Sequence, residues 1–128
     1  MIVVLALLLG AVGISGEARA DPATDYVLHC RGCHGPEGAG FTTVPSFRGL
    51  AEFVRVPGGR EYLLRVPGTS QSELPDERIA ALLNWMLRTF SADRLPADFV
   101  PYTGAEVARL RRPPLLDVDD VRRTLLAR

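Results

Sequence analysis

The chain has 128 residues, 47% hydrophobic and 23% charged, with 15 basic and 15 acidic side chains and no net charge at pH 7. That length holds one domain with a modest core, and the charge balance argues against a nucleic acid or an anionic membrane as main partner, since either calls for a net basic face. Every basic side chain is arginine, so a docking surface here would use planar guanidinium forks rather than ammonium point charges.

Ile2 to Ile14 is an apolar run broken only by Gly10 and Gly13, and Ala18-Arg19-Ala20 has the small-x-small form of a signal-peptidase site. Residues 1–20 therefore read as a signal peptide, with cleavage after Ala20 and a mature chain from Asp21. The run is short for a membrane span, which favours cleavage over stable membrane insertion. The segment before it carries no Lys or Arg, and an uncleaved anchor is the alternative. Either way the domain is exported, and a periplasmic location is expected.

Asp21 to Cys33 reads as a first helix: Pro22 sits near its start, and Ala23, Tyr26, Val27 and Cys30 recur at helical spacing. It runs into Cys30-Arg31-Gly32-Cys33-His34-Gly35, a C-x-x-C-H motif of the kind that attaches haem c. Two thiols three positions apart can each add across one vinyl group of a porphyrin, and His34 is then placed to bind the iron. Disulfide exchange would want the motif beside a βαβ pattern, and no strand-rich run surrounds it. Zinc would need more ligands than these three, and His29 is the only other histidine. Gly35, Pro36, Gly38 and Gly40 then form a glycine-rich loop.

From Tyr26 to Gly35 the chain resembles the first helix and haem motif of class I c-type cytochromes, and the resemblance extends over residues 21–90. It implies an all-α, cytochrome c-like domain wrapped around one covalent haem, with an aromatic on the first helix, here Tyr26, packed on the last core helix. Val44-Pro45-Ser46-Phe47-Arg48-Gly49-Leu50 looks like the family's proline segment, whose proline carbonyl accepts a hydrogen bond from the axial histidine; that role falls to Pro45. The need is general, because a metal-bound imidazole is oriented by what its second nitrogen donates to. An ordinary loop proline is the alternative.

Leu50–Val56 and Arg60–Val66 read as two short helical pieces, the first ended by Gly58 and Gly59 and the second by Pro67-Gly68. Their apolar stripes are expected to wall the haem. A haem propionate wants an arginine partner, and of Arg55, Arg60 and Arg65 the reading favours Arg60. The strongest helix runs from Pro75 to Phe90, with Ile79, Leu82, Leu83, Met86 and Phe90 on one face and Trp85 beside it. Residues 91–128 form a C-terminal extension that the resemblance does not reach. It has a linker marked by Leu95-Pro96 and Val100-Pro101, a helix capped at Thr103 and a last helix from Asp117. Its apolar positions are expected to wrap over the core, with partner docking as the alternative. Helix capping explains Asp117, Asp119 and Asp120 better than calcium does.

A histidine-ligated haem has two futures: a second strong ligand gives electron transfer, an open face gives binding or chemistry. The resemblance places a distal methionine on the loop before the last helix, but the matching stretch, Gly68 to Leu74, has none. Met86 lies in the helix, where a core filler is its ordinary role. His29 is tethered beside Cys30 on the proximal side. Gln71, a water or a vacant position remain, and loss of the thioether ligand should lower the potential. The expectation is a monohaem electron carrier, not an enzyme, working between a periplasmic dehydrogenase and an acceptor, with no nucleic-acid partner. A five-coordinate haem protein that binds a small gas or acts on peroxide is the alternative.

Overall fold

Asp21 caps the first helix of the protein, its carboxylate accepting from the Ala23 amide at 3.2 Å, and Pro22 occupies the first turn of α1 (Pro22–His29). The computed structural model describes residues 21–128, so the expected signal peptide lies outside the described residues. The helix does not continue to Cys33 in one piece. Cys30 departs from helical geometry at φ −125° and ψ −37°, and its carbonyl then accepts from the amides of Cys33 and His34 to start a separate turn, α2 (Arg31–His34). Both pieces are helical, so the sequence period carries no mark of the break.

After the glycine loop, Ser46 caps a 3-10 turn at Phe47–Gly49 that leads into α3 (Leu50–Phe53). The next helix, α4 (Gly59–Arg65), is opened by Gly59 rather than preceded by it. A Cβ at Gly59 would lie 1.9 Å from the Phe53 carbonyl oxygen, so only glycine lets the two helices meet this closely. Pro67 does mark the end of α4, whose C-cap is Val66, and it also starts the short α5 (Pro67–Ser70), a position where its missing N–H costs nothing.

The long helix α6 (Asp76–Phe90) follows, with Pro75 as its N-cap, Asp76 and Glu77 in its first turn and Arg88 in its last. A 3-10 turn at Ala92–Arg94 leads to the extension, which carries α7 (Gly104–Leu110) and α8 (Val118–Leu126). Thr103 and Asp117 cap these two helices through the amides of Glu106 and Asp120 at 3.2 and 3.1 Å. Among the described residues there is no strand, only an isolated bridge between Phe41 and Val44, and the architecture is all-α.

Helix α1 crosses α6. Tyr26 packs against Trp85 and Phe90 with ring centroids 5.6 and 5.0 Å away, and the buried Asp25 carboxylate takes two hydrogen bonds from the Arg78 guanidinium. The extension does wrap over this frame. Asn84 on α6 exchanges two hydrogen bonds with the Tyr102 backbone, at 2.9 and 2.8 Å. Arg65 donates to the Pro113 carbonyl, and the Leu115 amide returns a bond to Arg65. Tyr102, Val107 and Leu125 from the extension are buried in one hydrophobic core with residues of 21–90.

Candidate functional site

The break at Cys30 turns α2 so that Cys30, Cys33 and His34 stand together at the wall of a cavity of about 370 Å³. That volume falls in the usual range for ligand pockets. The lining is mostly apolar: Leu50 and Phe53 from α3, Leu63 from α4, and Ile79, Leu82, Leu83 and Met86 from α6. All of these side chains are buried and belong to the one hydrophobic core.

His34 is held from two directions. Its Nδ1 lies 3.0 Å from the Pro45 carbonyl oxygen, and the Phe47 ring stacks on the imidazole with centroids 3.9 Å apart. The glycine loop makes this possible. Gly40 sits at φ +75°, its amide bonds the His34 carbonyl at 2.9 Å, and a Cβ there would strike the carbonyl oxygens of Val44 and Pro45 at 2.3 and 2.9 Å. Burial pushes the His34 pKa below its ordinary value, partly countered by the Pro45 carbonyl. The neutral ring, with one nitrogen donating to Pro45, leaves the other free as a lone-pair donor to a metal.

The two cysteines are free thiols, Cys33 exposed and Cys30 half-buried. Burial, with Asp25 and Cys33 adding to it, pushes the Cys30 pKa up to about 11. Burial thus acts in the direction opposite to the pKa lowering by which a disulfide oxidoreductase activates its thiol. Among the described residues no group of three or more His, Cys, Asp and Glu side chains could hold a metal ion. An apolar cavity with two thiols and an imidazole at its wall fits a flat macrocycle that brings its own metal.

Of the residues expected from the sequence, Cys30, Cys33, His34 and Pro45 all line the cavity, as does Met86, and His29 sits exposed at its rim. Gln71 is exposed and does not line it. Arg60 is elsewhere: its guanidinium clasps Glu106 at 2.8 and 2.6 Å, bonds the Val100 carbonyl and lies 4.0 Å from the centre of the Tyr102 ring. Its fork is spent on tying the extension to α4.

The guanidinium that does line the cavity is Arg122, on α8. It lies 5.1 Å from the centre of the Phe53 ring and against the hydroxyl of Tyr62, where it partly offsets the burial that raises that phenol's pKa. A signal for it was present. Val118, Arg122 and Leu125 fall at i, i+4 and i+7, which puts one arginine in the apolar stripe of the last helix.

No protein-family model matches the chain. It is similar to two curated proteins of Thermus thermophilus, each named cytochrome c-552. One is 34% identical over an alignment of 129 residues that takes in 85% of this chain and 84% of the relative. The other is 33% identical over 117 residues, 76% of this chain and 88% of the relative.

Proposed function

Because the chain belongs to the c-type cytochromes, we propose that it is an exported monohaem electron carrier that holds its haem c through Cys30, Cys33 and His34. The observation that carries this reading is the meeting of those three side chains at one apolar cavity, with the imidazole anchored on Pro45. When bound, the haem iron supplies a one-electron couple. The protein's part is to bind, orient and shield it.

Each role follows from chemistry already described. The two thiols would form thioethers, which keep the cofactor on a protein that leaves the cell's interior. His34 would bind the iron as a neutral imidazole, and its bond to the Pro45 carbonyl fixes the ring's rotation and raises its basicity. Phe47 closes the same ring from its face. The apolar walls from α3, α4 and α6 exclude water, which disfavours the more highly charged oxidised state. Arg122 would pair with a propionate, a carboxylate that a planar guanidinium binds well.

Residues 1–20 would act as the export signal, 21–90 as the haem-binding unit and 91–128 as a strap that completes the cavity wall. Redox proteins, a periplasmic dehydrogenase and an electron acceptor, are the partners in this reading. Val27, Leu28 and Phe41 are exposed near the motif and offer apolar area for brief docking. Among the described residues no helix is long and apolar enough to cross a membrane.

An anaerobic redox titration of the purified holoprotein tests the function. A single reversible one-electron wave, with one electron stored per chain, is expected. A protein that takes up no electron reversibly, or that turns over a substrate in place of passing the electron on, would contradict it.

A further inference from the structure

We infer that no side chain of this protein fills the iron's sixth position, and that the part of the cavity facing α4 and α5 binds a small neutral diatomic such as carbon monoxide or nitric oxide. The inference rests on the haem reading above and concerns the same cavity.

Few side chains could fill that position. The chain has two histidines, two methionines, two cysteines and no lysine. Cys30, Cys33 and His34 belong to the attachment motif. His29 adjoins Cys30, so it is confined to the motif's side of the cavity. Met1 belongs to the expected signal peptide, and the Tyr62 phenol is held by its stack on Phe53 at 4.7 Å and by Arg122 at its hydroxyl, which leaves Met86.

Met86 sits at the wrong end of α6. Phe90, about one turn further on, packs on Phe47 with centroids 6.1 Å apart, and Phe47 is the ring stacked on His34. This end of the helix therefore belongs to the His34 side. Nor is α6 free to shift, because Asp25 and Arg78, with Tyr26, Trp85 and Phe90, fasten it to α1.

The segment from Pro67 to Leu74 cannot swing a ligand in either. The buried Ser70 hydroxyl donates to the Arg111 carbonyl. Arg111 in turn reaches the carbonyls of Ser72 and Leu74 at 3.4 and 3.2 Å. The backbone is closed by bonds from the Ser70 and Gln71 amides to Val66 and Pro67. What this segment and α4 present to the cavity is chiefly Tyr62, Leu63, Val66, Pro67, Thr69 and Ser72. Its side-chain polar groups are three hydroxyls; that of Tyr62 lies against Arg122, and Ser72 Oγ already accepts from the Leu74 amide at 3.2 Å. Neutral hydroxyls on an apolar wall suit a small uncharged ligand.

Such a site would regulate electron transfer. Carbon monoxide binds ferrous iron alone, so by linkage it holds the carrier reduced: each tenfold excess over its dissociation constant raises the midpoint potential by about 59 mV.

The test is a spectrum of the purified holoprotein in both oxidation states, followed by mixing the reduced form with carbon monoxide. The expected result is a high-spin spectrum and rapid binding of one carbon monoxide per haem, at a rate proportional to its concentration. A low-spin reduced protein unmoved by carbon monoxide overturns the inference and leaves the electron-carrier reading intact. So does a low-spin spectrum that turns high-spin in Met86→Leu, which would assign the position to methionine. A protein with no covalent haem overturns both readings.

Discussion

His34 Nδ1 and the carbonyl oxygen of Pro45, eleven residues on, stand 3.0 Å apart across the glycine loop. This bond links the Cys30-to-His34 stretch to the chain's next segment and sets the rotation of the imidazole proposed as the iron's ligand. Its acceptor is a backbone atom, so the side chains that control it are those shaping the loop.

Gly40→Ala is the substitution that disturbs the bond without touching either partner. It forces a Cβ against the Val44 and Pro45 carbonyls at a φ of +75°. The left-handed backbone alone should cost about 1–2 kcal/mol of stability, and the clash adds to this. With the acceptor displaced, the imidazole becomes a weaker donor and the oxidised iron loses support. The reduction potential should rise, as read by spectroelectrochemical titration, and the thermal midpoint should fall.

The ion pair between α1 and α6 predicts an asymmetry. Asp25 is buried, whereas the Arg78 side chain is 40% exposed. Arg78→Ala strands a buried carboxylate, while Asp25→Asn leaves behind a cation that water can reach. Chemical denaturation should show the arginine variant to be the less stable. Equal losses from the two variants would contradict the packing described.

Arg122→Gln tests the role of the extension at the cavity. Removing a positive charge beside the cofactor relieves the oxidised state, so the potential should drop, and Arg122→Lys should restore part of it. Arg123→Gln, on a neighbouring side chain that is 71% exposed, should shift it far less. A potential that moves equally in Arg122→Gln and Arg123→Gln would remove Arg122 from the site.

Tyr102 predicts an alkaline limit to stability. An ordinary phenol has a pKa of 10.0, and burial pushes that of Tyr102 well above it. The unfolded chain therefore gives up this proton first. Stability is fully present below the ordinary value and declines above it, by about 1.4 kcal/mol per pH unit, until the folded phenol ionises as well. Tyr102→Phe should make the decline shallower in denaturant titrations run at rising pH. Tyr26 and Tyr62, also raised by burial, supply the remaining slope.

Much of this arrangement is written locally in the chain. The apolar face of α6 follows from a 3.6-residue period that its burial respects, and the six-residue motif names its own chemistry. Pro45 came from family resemblance, and the structure puts its carbonyl at the histidine. The errors arise where a decision depends on distant residues. Arg60 is favoured among three arginines close in sequence to the expected cavity, but a carboxylate 46 positions away claims it. Arg122 reaches the cavity only because the extension folds back over α3 and α4. The break at Cys30 was hidden because helix follows helix, and Pro67, which ends α4 as expected, also opens a short turn that its own sequence does not announce. Propensity describes a residue's neighbours well and its tertiary partners hardly at all.

The central claim is that Cys30 and Cys33 hold one haem covalently. Intact-mass measurement of the protein, exported from a host that matures c-type cytochromes, tests it most directly. The result predicted is a chain starting at Asp21 and carrying the mass of one haem, with the addition lost in the Cys30→Ala, Cys33→Ala double variant. An unmodified chain, or an addition that survives in the double variant, would contradict the claim.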